Sequence, residues 1–193
     1  PIRAELLEGD RSAGLSYAHL DENRPVLLII GGSLGSVAVN QAIRGILPEL
    51  LKTFQVVHLC GKGNLDAALS NTPGYVQYEY IKQELADLFA LADIVVSRAG
   101  ANAICELLEL RKPNLLIPLS AAASRGDQIL NAQSFQKQGF SEVLQEEELS
   151  SEVLLSSILS LYENRQKYIS AMEHSAASNA VTTITDMIQE IAG

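Results

Sequence analysis

Four short segments carry the residue types from which a ligand site is built. The first is Gly31-Gly32-Ser33-Leu34-Gly35-Ser36, directly after an apolar run. Its glycines let the backbone approach a ligand closely, and a helix beginning after them offers unpaired N–H groups and a partial positive charge. With the Ser33 hydroxyl added, this is the chemistry of a diphosphate cradle. The segment lacks the Gly-Lys-Ser/Thr of a Walker loop and the spacing of a GxGxxG fingerprint. The same letters also suit a tight turn with a serine helix cap.

The second segment runs from Ser97 through Arg98, Ala99, Gly100, Ala101, Asn102 and Ala103 to Glu106. Gly100 frees the backbone ahead of a helix, which makes a second candidate anion site. Glu106 follows about one and a half turns into that helix. A carboxylate there can accept from both hydroxyls of a ribose. An ordinary surface glutamate favouring the helix dipole would look the same.

The third segment, Pro118 to Gln128, is long for a loop and ends in Asp127 and Gln128, with Asn131 shortly after. Converging Asp, Gln and Asn suit a neutral sugar read through directional hydrogen bonds. A connector capped by Asp127 is the simpler reading. The fourth is His58-Leu59-Cys60-Gly61-Lys62-Gly63. An unperturbed histidine titrates near neutrality, but a lone one on an apolar strand is more often a structural donor. His19, His58, His174 and the cysteines lack metal-ligand spacing, so no metal site is expected. No GxSxG nucleophile is present. Glu146-Glu147-Glu148 reads as a solvated helix entrance.

The elements that must position these segments follow from periodicity. Pro25 to Ile30 is a short apolar run without polar alternation, as expected of a parallel strand buried on both faces. Residues 37–51 have helical spacing, and 54–60 supply a second strand. Further strands are expected over 75–81, 93–97, 114–118 and 141–145. Helices are expected over 64–69, 84–90, 101–110 and 127–138, the last closed by Gly139. From Leu149 the pattern is helical, through Leu154, Ile158 and Leu161 and on through Ala180, Ile184, Met187, Ile188 and Ile191. Alternating strands and helices predict an α/β fold: a Rossmann-like parallel sheet with helices on both faces. In such sheets ligands bind beyond the carboxyl ends of the strands, where all four segments lie. Residues 1–24 read as a connector and 25–193 as the domain.

Composition narrows the function. The 193 residues are 47% hydrophobic and 19% charged, a globular balance, and carry a net charge of −9. A whole-chain electrostatic grip on nucleic acid is therefore not expected. A diphosphate stays compatible, because backbone N–H groups and one Arg can hold it. Cys60 and Cys105, without CxxC spacing, read as small buried residues of a reduced cytoplasmic protein. No apolar run reaches the length of a membrane span. The chain opens Pro1-Ile2-Arg3 without a methionine and reads as a piece of something longer.

In this order the segments closely resemble the C-terminal domain of the MurG family, bacterial UDP-N-acetylglucosamine transferases of glycosyltransferase family 28. The carrying residues are Gly31 to Gly35 with Asn40, His58 to Lys62, Ala92-Asp93 and Ser97 to Ala101. Glu106, Ile117-Pro118-Leu119, Gly126-Asp127-Gln128 and Asn131-Ala132 continue the match. They cover residues 25–145, and the helical tail also fits.

The resemblance implies the C-terminal half of a GT-B glycosyltransferase, with the N-terminal acceptor domain outside this chain. It implies UDP-N-acetylglucosamine as donor substrate, with no cofactor and no metal. The acceptor would be lipid I, reached through the other domain at the cytoplasmic face of the membrane, where lipid II is formed for peptidoglycan. By resemblance, Gly32, Ser33 and Gly35 contact the diphosphate, assisted by Arg98, Gly100, Ala101, Asn102 and Ala103. The main chain at Ile81 reads the uracil, and Glu106 holds the ribose. Asp127 and Gln128 bind the sugar, and Arg3 reaches the donor from the connector. The catalytic base is expected in the other domain, so these residues alone are expected to bind donor without transferring it. Three other readings remain at this level: an Alg13-like subunit needing a membrane partner, a non-catalytic UDP-binding domain, and an epimerase on the same fold. The last would need acidic and histidine groups clustered at the sugar, and none stands out.

Overall fold

A strand covered on both faces has no solvent side, so its residues can be apolar throughout. The structure, a computed structural model, describes residues 4–31 and 36–176, and six strands form its sheet, the four inner ones almost wholly buried. They are β1 (Val26–Ile30), β2 (Gln55–Leu59), β3 (Tyr75–Tyr78), β4 (Ile94–Ser97), β5 (Asn114–Leu116) and β6 (Ser141–Val143). All neighbours pair in parallel, in the order β3-β2-β1-β4-β5-β6. At the centre, Leu28 stands opposite Val57 on one side and Val95 on the other.

Helices cover both faces of the sheet. They are α1 (Arg11–Ala18), α2 (Val37–Gly45), α3 (Leu47–Leu50) and α4 (Leu85–Leu91). Further along come α5 (Ala101–Glu109), α6 (Ala121–Ser124), α7 (Asp127–Lys137) and α8 (Ser151–Glu163), with residues 165–176 again helical. Alternate residues of β1 feed two cores, as the two-residue side-chain period requires. Val26 and Leu28 join Leu88, Leu107, Phe135 and Met172 on one face. Leu27 and Ile29 join Ile43, Leu50, Leu154 and Ile158 on the other. Each such aliphatic side chain, fully covered, contributes roughly 1.5–3 kcal/mol.

This doubly wound arrangement fixes where a site can lie. From β1 the chain crosses to β2 over one face through α2 and α3, while from β4 it crosses to β5 over the other through α5. Because β1 and β4 are neighbours, their exits diverge and leave a crevice at the carboxyl edge.

Several elements differ from the sequence reading. The helix expected over 37–51 breaks at Ile46 and restarts as α3, since Pro48 has no N–H to continue it and sits in the new first turn. β3 stops at Tyr78, three residues early. The expected helix over 64–69 is a single 3-10 turn at Ala67–Leu69. The long third loop contains α6, and α7 is capped by Gly126 at φ 86° rather than by Asp127. Gly139, at φ 81°, closes α7 as its position suggests. Within the stretch read as a connector, a 3-10 turn at Ala4–Glu8 and α1 fold onto α4, burying Leu6 and Ala18. The expectations for Arg3, Gly32, Ser33, Gly35 and the tail beyond residue 176 fall outside the described residues.

Candidate functional site

At the carboxyl edge a cavity of about 280 Å³ opens between the sheet, α4 and α5. Ile30, Leu59 and Ser97 come from the ends of β1, β2 and β4, and residues 79–82 from the loop after β3. Leu85 and Phe89 of α4 and Leu107 of α5 complete its apolar walls, each nearly fully buried. Charge is confined to Glu79, Lys82 and Glu106. Apolar walls with carboxylates in the lining suit a heterocycle carrying a diol. The structure thus brings together Ile81, Ala103 and Glu106, three residues expected to act together. Phe89, Tyr80 and Lys82 were not singled out from sequence. Tyr80 is 66% exposed, one of several large apolar side chains open to solvent.

Beside the cavity, at the crevice between β1 and β4, lies a buried polar cluster. Ser36 is the N-cap of α2, and its hydroxyl oxygen accepts from Val39 N at 3.4 Å. The same oxygen accepts from the Arg98 guanidinium, which also donates to Ile117 O at 3.0 Å and pairs with Glu146. Arg98 and Ser36 are each only 8% exposed. One guanidinium therefore ties together the exits of β1, β4, β5 and β6. Arg98 was expected among the ligand contacts, and its side chain is engaged by the protein itself. Glu146, read as part of a solvated run, is its ion-pair partner. Nothing in the sequence spacing joins the two.

The third and second segments meet through Gln128. Its Oε1 accepts from Leu119 N at 2.9 Å and Ala99 N at 3.2 Å, while Asn131 Nδ2 donates to Ala99 O at 2.9 Å. Gly100 caps α5 in extended conformation, and a Cβ there would lie 3.9 Å from Gln128 Nε2. Ala101 and Asn102 are exposed at the start of α5. Asp127 is exposed in the first turn of α7 and lines no part of the cavity.

His58 lies apart from this edge chemistry. Its Nε2 faces Asn40 Oδ1 at 2.8 Å and its Nδ1 the Tyr75 hydroxyl at 2.7 Å. Burial, reinforced by the Arg44 charge, pushes its pKa down to about 3. The sequence reading of a structural histidine matches this. Cys60 is buried as expected, with its thiol pKa raised by burial. Cys105 is exposed, contrary to expectation, because it faces outward on α5. Among the described residues no group of three His, Cys, Asp or Glu is placed to hold a metal. No helix among them is long and apolar enough to cross a membrane.

The profile described as glycosyltransferase family 28 C-terminal domain matches residues 26–191. A Clostridium perfringens protein is 59% identical over 192 residues, 100% of this chain and 54% of its own length. A Lachnospira eligens protein is 57% identical over 190 residues, 98% of this chain and again 54% of its own. Both are named UDP-N-acetylglucosamine–N-acetylmuramyl-(pentapeptide) pyrophosphoryl-undecaprenol N-acetylglucosamine transferase. The chain thus spans about half the length of the curated relatives it matches. In fold it is similar to the crystal structure of MurG from Acinetobacter baumannii, with TM-score 0.70 and 24% identity, over 96% of this chain and 55% of that one. With the matched profile covering the whole sheet and the helices from α2 onward, the chain belongs to glycosyltransferase family 28, as the C-terminal domain of that family.

Proposed function

We propose that this chain binds UDP-N-acetylglucosamine at the carboxyl edge of its sheet, as the donor half of an inverting transferase acting on lipid I. The observation that carries the reading is the apolar cavity with Glu106 in its lining, about one and a half turns from the N-terminus of α5. The uracil enters the cavity against the main chain at Ile81, and Glu106 accepts from the ribose hydroxyls. The diphosphate lies across the starts of α2 and α5, where Ser33 and the 31–35 segment precede one helix and Gly100 to Ala103 begin the other. The sugar extends toward Gln128 and Asp127, and Arg3 approaches from the connector. Since Gln128 Oε1 already accepts from two amides, its Nε2 is the atom offered to a sugar oxygen.

The reaction follows from these placements. An acceptor sugar hydroxyl attacks the anomeric carbon from the face opposite UDP. The bond to the diphosphate oxygen breaks, and configuration inverts. N–H groups and helix dipoles stabilise the charge that develops on the departing diphosphate. The base that takes the acceptor proton is assigned to no residue of this chain. Lipid I, as a membrane-anchored acceptor, would draw the complete protein to a membrane surface on the cytoplasmic side.

Calorimetric titration with UDP-N-acetylglucosamine, UDP-glucose and UDP tests the reading. Glu106→Ala weakens all three by about tenfold or more, the scale of a hydrogen bond to a charged group. Gln128→Glu keeps the two amide bonds but removes the donor, so it weakens the sugar nucleotides relative to UDP. A chain that binds none of the three overturns the reading.

A further inference from the structure

We infer that Ser36 donates its hydroxyl proton to the diphosphate, and that Glu146, acting through Arg98, is the positioning residue that aims it. This rests on the nucleotide reading above.

A serine hydroxyl has two lone pairs and one proton. At Ser36 both acceptor positions are filled, one by Val39 N of the helix it caps and one by the Arg98 guanidinium. What remains is the O–H, and no acceptor among the described residues takes it. The residue is 8% exposed, so water is an incomplete substitute. A buried hydroxyl without an acceptor is costly unless a ligand supplies one. Its position answers which ligand. The Ser36–Arg98 bond joins the exits of β1 and β4, the two strands between which the sheet changes direction. In doubly wound folds that crevice receives the phosphates of a bound nucleotide. The N-terminus of α2 adds its partial positive charge in the same direction.

Arg98 would itself attract a phosphate if it were free. Its pairing with Glu146, both side chains largely shielded, cancels that attraction and turns the guanidinium into a support. The planar fork reaches Ile117 O, Glu146 and Ser36 together, which fixes the Ser36 oxygen and with it the direction left to the proton.

The experiment titrates the 193-residue chain with uridine and with UDP, unsubstituted and as Ser36→Ala, Ser36→Thr, Glu146→Gln and the Ser36→Ala/Glu146→Gln double variant. Ser36→Ala lowers UDP affinity by about tenfold and leaves uridine within about twofold. Ser36→Thr, which keeps the hydroxyl, restores most of the loss. Glu146→Gln produces the same phosphate-selective loss, and the double variant is no weaker than Ser36→Ala alone, because both act on one contact. Equal losses for uridine and UDP, or an unchanged ratio, overturn the inference and leave the nucleotide reading standing. So does a gain in UDP affinity in Glu146→Gln, which would make Arg98 a phosphate ligand once released. Failure of the unsubstituted chain to bind uridine or UDP overturns the nucleotide reading itself, whatever the variants do.

Discussion

At His58 the hydrogen bonds assign the tautomer. Asn40 Nδ2 donates to Cys60 O at 2.9 Å, so Asn40 Oδ1 faces the ring and must accept from Nε2–H. Nδ1 is then an acceptor for the Tyr75 hydroxyl, whose oxygen accepts in turn from Arg44 Nε. A proton added to Nδ1 would displace the one that Tyr75 donates and would place a buried charge near the Arg44 cation, so burial and charge together depress the pKa to about 3. An unfolded histidine titrates near 6.5. Between these values the unfolded chain binds more protons than the folded one. Stability is therefore full above pH 6.5 and declines as pH falls toward 3. Urea unfolding at pH 7.5 and pH 5 should show a loss of about 2 kcal/mol from this group. In His58→Gln that part of the slope disappears; an equal slope in both chains would contradict the assignment. The structural role was legible from a single histidine on an apolar strand. Arg98 shows the limit of such reading. An arginine beside a glycine at a helix entrance looks like an anion ligand, and its counter-charge lies 48 positions away.

At the scale of elements, α1 packs closely on α4, and two glycines permit it. A Cβ on Gly14 would lie 2.5 Å from Asp87 O, and one on Gly9 2.0 Å from Ala86 O. The contact is reinforced by Asp10 N donating to Asp87 Oδ1 at 2.8 Å and by Arg11 donating to Leu91 O at 3.0 Å. In an exposed helix, alanine for glycine adds about 1 kcal/mol. Here overpacking against backbone outweighs it, so Gly14→Ala should cost about 1–3 kcal/mol, or several degrees of Tm. A raised Tm would show that α1 can move off α4 freely. The same glycines explain why the segment read as a connector: by propensity they break helices, and their benefit exists only against α4. Strands fared better, because β1 is apolar along its whole length and β2 is apolar but for Gln55 and His58, so both are recognised without a partner. Pro48 was visible in the sequence, but helical spacing on both sides concealed the break it makes.

Across the whole molecule, the two ends of the sheet carry different work. At the amino end, Asp93 Oδ2 accepts from Val26 N at 2.8 Å and Lys112 donates to Ala92 O at 2.8 Å, joining neighbouring strand starts. At the carboxyl end the cavity, Ser36, Gly100 and Gln128 converge within the loops. The sequence indicated this edge through the order of strands and helices, since any parallel sheet binds there. It did not indicate which loop residues face a ligand and which face one another, because that depends on contacts between segments distant in the chain. One consequence concerns light. The chain has six tyrosines and no tryptophan, so its intrinsic emission is tyrosine emission. Tyr80 is largely exposed and lines the cavity, so a base bound there would lie against it. With nucleotide absorbance corrected for, UDP should dim that emission, and should dim it less in Tyr80→Leu. The cavity thus carries its own optical reporter.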